Sequence, residues 1–496
     1  MSTTDESDTT GTTELAPSGI PPEDPGSREL APGSEIPANS TVNRRQGFGD
    51  GFLSTISTGW AQRPEILPPA REQAVFAALR RAAVSAAFPG KRLVVPAGPS
   101  KVRSNDTDYP FRAHSAFAHL TAWAGNAVPD SVLVFDPREG EDEPGHDVTL
   151  YFRERADRTT AEFYANPSIG EFWIGPRPAR GGVAADLGLD TAHIDSFAAS
   201  DDDLVVDEDA DLTRFVSELR LRKDEYEIAQ MQLAIEVTAD GFDDIVADLP
   251  RIIAHPRGER LVEGIFHQRA RSDGNWEGYD TIAASGPHAC YLHWTRNDGA
   301  VAPGDLILID AGVELDSLYT ADITRTIPVG GTFTEVQRRV YEAVLEAADA
   351  AFAAAKPGAL FSDLNAAAWS VIAHRIEEWG FLPVSAEASL DPTTGHHHRR
   401  WMVHGTSHHL GIDVHDCAQA RRELYAGGTL EPGMVFTIEP GLYFQIDDLM
   451  VPEQYRGIGV RIEDDILMTA DGPVNLSSAI PRTADDVEAW VARRSS

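Results

Sequence analysis

Apolar residues alternate with polar ones over some stretches of this chain and recur every three to four residues over others, which marks strands and helices respectively. Leu306, Ile307, Leu308 and Ile309 run into Asp310, and Ile323, Thr324, Thr326, Ile327 and Val329 follow Asp322. With turn-forming residues between them, the two runs predict a pair of antiparallel strands, each carrying an aspartate at one end. The run VFTI leads into Glu439 in the same way. In YRGIGVRIEDD the period of two places Arg461 and Glu463 on one face of a strand. Short strands are predicted at 92–96, 131–135 and 148–152, and a helix at 70–88 that stops at Pro89-Gly90. A second helix starts at Asp224, which forms a capping-box pair with Glu227, and Ile228, Met231 and Ile235 line one face of it. Two more run over 334–356, ended by Pro357-Gly358, and 362–379, ended by Gly380.

These elements predict two folded parts. Strand and helix patterns alternate to about Phe197, as in an α/β domain. The acidic run SDDDLVVDEDAD at 200–211 reads as a solvated linker. The later helices are expected to cover the outer face of a sheet that holds the aspartates. The overall class is α+β, with a tail at 1–45, an α/β domain at 46–205 and a larger domain at 206–496. The tail is rich in Ser, Thr, Pro, Gly and acids, so it cannot bury enough apolar surface to offset its ordering entropy, and it is predicted to be disordered.

Composition narrows the function classes. A length of 496 residues with 42% apolar content allows two or three domains with ordinary cores. A net charge of −36 argues against nucleic acid or an anionic membrane as partner, since both call for basic patches. Cys290 and Cys417 are the two cysteines, too few for a disulfide framework, and are read as buried thiols. No run reaches the roughly 18 apolar residues of a membrane span. The first residues, MSTTDESDTT, lack the basic and apolar regions of a signal peptide. The expected location is cytoplasmic.

Candidate chemistry centres on the two aspartates, twelve residues apart. Taken alone they could cap turns. A carboxylate at the end of a buried strand is costly unless something pairs with it, and a metal ion is one such partner. Two further blocks favour the metal: HGTSHHLGIDVHD, with His404, His408 and His415, and the strand ends at Glu439 and Glu463. His293, in ACYLHWTRND, stands beside them as a candidate, although any one histidine alone could be a satisfied core residue. The run HHHRR at 396–400 is read as a loop, because three consecutive rings cannot converge on one ion from regular backbone.

The order Asp, Asp, His, Glu, Glu on strand ends resembles the metal-dependent aminopeptidases of the pita-bread fold, which include methionine aminopeptidase, prolidase and aminopeptidase P. The resemblance spans about 218–479, and RSNDTDYPFRAHSAFAHLTAW adds a second one, over about 94–195, to the N-terminal domain of aminopeptidase P. It implies a curved antiparallel catalytic sheet covered by helices. Two divalent ions are then held by Asp310, Asp322, His408, Glu439 and Glu463, with Asp322 and Glu463 bridging. Manganese is the first expectation, with cobalt, iron(II) or zinc as alternatives. It further implies a water activated between the ions, Glu439 as proton shuttle, and His293, His404, His415 and Arg461 around the substrate, with Tyr443 as a pocket wall. The implied activity is release of the first residue from peptides beginning Xaa-Pro, by a homo-oligomer, dimer or tetramer. Prolidase activity and a non-catalytic binding module of the same fold are the alternatives.

Overall fold

The structure, a computed structural model, describes residues 48–64, 67–105, 107–138 and 145–494. The tail expected at 1–45 lies outside the described residues. Internal contacts divide the chain into two compact units. Among the described residues, the smaller gathers those from Phe48 to Arg63 with stretches of 103–107 and 155–177. Aromatic rings hold it together: Phe48 stacks on Phe52 at 4.6 Å, Phe52 meets the edge of Tyr164 at 5.3 Å, and Trp60 meets Phe163 at 5.7 Å. The Arg158 guanidinium lies over the Trp60 ring.

The larger unit opens with a five-stranded sheet in the order Asp190–His193, His146–Phe152, Val132–Pro137, Leu93–Pro96, Leu204–Val205. The inner pairs are antiparallel and the two edge strands lie parallel to their neighbours. Phe117, Trp123, Phe135 and Phe152 fill the core beside it, with Val84 and Leu120 from helices Gln73–Ala87 and Ser115–Thr121. The acidic run at 200–211 is therefore not a bare linker. Its apolar trio Leu204, Val205 and Val206 supplies an edge strand, Asp203 anchors Arg92 at 2.8 Å, and Asp209 caps helix Ala210–Glu218. Acids on both sides of a short edge strand also discourage pairing with another chain.

After Lys223 the chain enters helix Glu225–Ala247, whose capping box closes as expected: Glu227 N–H donates to Asp224 at 3.0 Å and Asp224 N–H to Glu227 at 2.8 Å. Strands Ile282–Ser285, Leu306–Ala311 and Ile323–Pro328 form one antiparallel sheet. Val435–Ile438, Asp464–Thr469 and Gly472–Asn475 form another, and Gly441–Tyr443 pairs with Gly459–Arg461. Alternation then sorts the faces. Ile307, Ile309, Ile327, Phe436, Ile438, Val460 and Ile462 join Val340, Val344, Ile372 and Ile376 of helices Glu335–Ala354 and Phe361–Glu378 in one large core. Asp310, Thr324, Thr437, Arg461 and Glu463 fall on the other parity and face inward together. The histidine run at 396–400 forms one 3₁₀ turn, with His396 and His398 rings 6.2 Å apart and nearly perpendicular, so it gathers no ion-binding set.

Candidate metal centre

Strand ends from separate sheets meet at the centre. Asp310 is the penultimate residue of Leu306–Ala311 and is in register with Thr324. Asp322 immediately precedes Ile323–Pro328, Glu439 follows Val435–Ile438, and Glu463 lies between Arg461 and the strand that starts at Asp464. His408 is fixed from its backbone: its N–H donates to Thr437 Oγ1 at 3.2 Å and its carbonyl accepts from Thr437 N–H at 2.9 Å. Gly312 lets the two aspartate strands close up, because any Cβ there would run into the Ala321 carbonyl. The strand pairs are laced by hydroxyls. Thr324 Oγ1 donates to Glu463 Oε2 at 2.7 Å and accepts from Arg461 Nε at 3.0 Å, and Thr326 Oγ1 donates to the Arg461 carbonyl at 2.9 Å.

The result is a buried crowd of like charge. Asp322, His408 and Glu463 offer ligand atoms that all lie within 4.8 Å of one another. Burial pushes Glu463 well above the ordinary carboxyl range, and the charges of Asp322, Glu439 and Asp310 push it further. Burial also lifts Glu439 to about 7 and raises Asp310, although Arg461 pairs directly with Asp310 and pulls the other way. Burial works against a charge on His408, but its contact with Asp322 Oδ2 at 3.2 Å overcomes this and lifts it to about 9. Such a set is short of positive charge, and each carboxylate would otherwise have to take up a proton. Four carboxylates and one imidazole are the donor chemistry that hard or borderline divalent cations take. When Nδ1 of His408 donates to the His409 carbonyl at 3.2 Å, its Nε2 lone pair is left among the carboxylates, as a metal ligand requires. The residues present fit divalent cations.

The other expected residues surround this cluster. Arg461 Nη1 donates to Tyr443 Oη at 3.1 Å, which in turn lies 2.8 Å from His404 Nε2. His404 Nδ1 sits 2.7 Å from the Gly405 carbonyl, and burial beside Arg461 lowers this imidazole to about 3, so it is neutral with both nitrogens engaged. The His415 ring packs 4.2 Å from that of His408. His293 is exposed. Tyr443 forms one wall of a 280 Å³ cavity, with Cys290, Leu292, Trp401 and Val403 among the other walls. A larger cavity, 470 Å³, lies elsewhere, beside Tyr226 and Tyr319.

Three residues here escaped the sequence reading. Tyr279 Oη lies 2.7 Å from Asp310 and 2.6 Å from Asp322, sharing one proton between two carboxylates. Thr324 joins Arg461 to Glu463. Asp465, fully buried, accepts the Asp322 N–H at 3.1 Å. Thr324 and Asp465 each sit two residues from an expected ligand, so alternation could have found Thr324; Tyr279 carries no comparable signal.

Comparison with known proteins agrees with this geometry. Residues 229–470 match metallopeptidase family M24, and residues 77–209 match the aminopeptidase P N-terminal domain. Xaa-Pro aminopeptidase 1 of Streptomyces coelicolor is 46% identical, covering 95% of this chain and 98% of that one. Xaa-Pro aminopeptidase 2 of the same organism is 49% identical over 88% of this chain and 95% of that one. Among solved structures, a variant of Escherichia coli aminopeptidase P in complex with substrate is similar with a TM-score of 0.72 at 29% identity, covering 87% of this chain and 99% of that one. A buried carboxylate–imidazole cluster on strand ends, in a chain related over 88–95% of its length to these enzymes, places the protein in the Xaa-Pro aminopeptidase group of metallopeptidase family M24.

Proposed function

We propose that this chain hydrolyses peptides whose second residue is proline, releasing the residue before it. One observation carries the reading. Four carboxylates and one imidazole converge where buried charge needs a cation, in a chain that aligns over 95% of its length with a Xaa-Pro aminopeptidase. Asp310, Asp322, His408, Glu439 and Glu463 would hold two divalent cations, Asp322 and Glu463 being shared. Manganese is the proposed native ion. When bound, the cations polarise the scissile carbonyl and acidify the attacking water.

The chain's own groups then do the following. Glu439 takes the proton of the attacking water at its carboxylate and gives it to the departing proline nitrogen, which carries no hydrogen of its own before cleavage. His293 and His415, with exposed rings, line the peptide's path and donate to the carbonyl as charge builds on it. His404 holds the Tyr443 hydroxyl toward Arg461, and the guanidinium balances Asp310.

Residues 46–205 are assigned to the N-terminal domain and 206–496 to the catalytic domain, a division supported by the two family matches. A homo-oligomer, dimer or tetramer, is proposed on the apolar patch of Phe172, Trp173 and Ile174, each more than half exposed. Two buried thiols support a reducing, cytoplasmic setting. Among the described residues no helix is long and apolar enough to cross a membrane.

Parallel kinetics on an Xaa-Pro dipeptide, an Xaa-Pro tripeptide, a longer Xaa-Pro peptide and an Xaa-Ala control test the reading. The tripeptide and longer peptide should be cut fastest. Faster cleavage of the dipeptide would reassign the enzyme as a prolidase, and equal cleavage of the Xaa-Ala control would remove the proline requirement.

A further inference from the structure

The segment from His408 to Asp416 leaves the metal centre and returns to it. It starts at a ligand and ends one residue past His415, whose ring packs against that of His408. Asp416 N–H closes the excursion by donating to the His409 carbonyl at 2.9 Å. The Asp416 carboxylate is 1% exposed and lies among cations: Arg220 Nε donates to it at 2.9 Å and Lys223 Nζ at 3.3 Å, with Cys417 N–H at 2.8 Å. Both cations are themselves buried. Gly411 makes room, since a Cβ there would overlap the carboxylate. The middle of the same loop is gripped as well. Ser115 Oγ donates to Asp413 at 2.5 Å, and Arg112 Nη2 donates to the Ile412 carbonyl at 2.7 Å.

A buried carboxylate with two buried cations adds little to stability compared with apolar residues of the same size, because desolvation cancels most of the attraction. What it does supply is direction. Beyond the bridge of His409 to Phe436, the loop carries a glycine and neither helix nor strand, so it has many conformations to lose. A charge that must meet two fixed partners leaves it one way to return.

We infer that Asp416 is a positioning residue: pinned by Arg220 and Lys223, it sets the return of the loop so that the His415 imidazole stands against His408 at the edge of the centre. The inference rests on the proposed peptidase function for its kinetic test, but not for its structural one. Arg220 and Lys223 precede helix Glu225–Ala247, and Arg112 and Ser115 belong to the part that carries the five-stranded sheet. That part of the chain thus acts on turnover through His415.

The test is a double-mutant cycle on the full, manganese-loaded chain. Lys223→Met and Asp416→Asn should each lower kcat/KM on an Xaa-Pro tripeptide by about 10²-fold, the scale of a misplaced group, with metal content per chain unchanged. In a His415→Ala background the same changes should cost less than about twofold, because the group they position is gone. The nuclear magnetic resonance signal of the His415 ring carbon Cε1, read on chain loaded with diamagnetic zinc in place of paramagnetic manganese, should move in Lys223→Met while that of His293 stays. Equal losses in both backgrounds, undiminished activity, or an unmoved His415 signal would each overturn the inference. If Asp416→Asn does not fold, Lys223→Met decides alone, since Arg220 still pairs with Asp416. If the parent chain leaves Xaa-Pro peptides intact, the functional reading fails and the His415 signal still decides the clamp.

Discussion

Asp322 is held at three points. Its Oδ2 faces His408, its Oδ1 the Tyr279 hydroxyl, and its N–H is held by Asp465. Asp322→Ala should abolish activity and lower bound metal, since a shared ligand serves both ions; normal turnover with normal metal content would sink the ligand assignment. Tyr279 offers a subtler test. Burial and the two aspartates drive its hydroxyl well above the ordinary range, so it keeps its proton and remains a donor. Tyr279→Phe should weaken metal binding by about 10–100-fold, the usual cost of losing a group that orients a ligand. Equilibrium dialysis against manganese reads this, and unchanged affinity would remove Tyr279 from the support of the site. His415→Ala should slow turnover by roughly 10²–10³ with metal content near normal, as for loss of one donor to developing charge. Loss of metal instead would add His415 to the ligands.

Among the elements, helix Glu225–Ala247 shows how a local signal acquires a distant role. Glu227 completes its capping box with Oε2, which also lies 3.4 Å from Arg80, while Oε1 accepts from Tyr319 Oη at 2.7 Å with His119 at 3.3 Å. Burial alone would raise this carboxyl. The contacts with His119, Arg80 and Tyr319 overcome burial and hold it well below the ordinary range. His119, buried beside Arg80, is itself pushed down, so it stays neutral and the opposing charge is that of Arg80. A carboxyl depressed on folding contributes stability that is fully present above its unfolded value, about 4, and is lost as the pH falls through its lower folded value. Glu227→Gln should therefore lower Tm near neutral pH and flatten the fall of Tm below about pH 4. Parallel Tm curves for parent and variant across that window would show that Glu227 does not carry the acid sensitivity.

For the whole molecule, the dominant electrostatic fact is a net charge of −36, with four of its carboxylates forced together in the interior. Divalent cations relieve that crowding only in the folded state, so metal binding and folding are linked. Chelation should abolish activity and lower Tm, and manganese should restore both. At free metal a hundred times the dissociation constant the gain is about 2.7 kcal/mol. A chelated protein that melts at the same temperature as the loaded one would contradict the linkage.

The sequence alone was enough for the features whose cause is local. Helix starts at Asp224 and Thr334, and helix ends at the Pro-Gly and Gly stops, follow from capping and backbone restriction within a few residues. A period of two put Arg461 and Glu463 on one strand face before any partner was known, whereas Asp310 was legible only as a carboxylate ending an apolar run. What only the tertiary structure decided are pairings across long separations. Tyr279 reaches Asp322 across 43 residues, Arg220 reaches Asp416 across 196, and the strand Leu204–Val205 finds Leu93–Pro96 more than a hundred residues earlier. That last pairing turned an expected linker into a sheet edge. His404 was expected as a free donor, yet Tyr443 and Gly405 occupy both its nitrogens. A side chain's identity states what it can bond, but which partner it meets depends on chain closure over distances that no local pattern encodes.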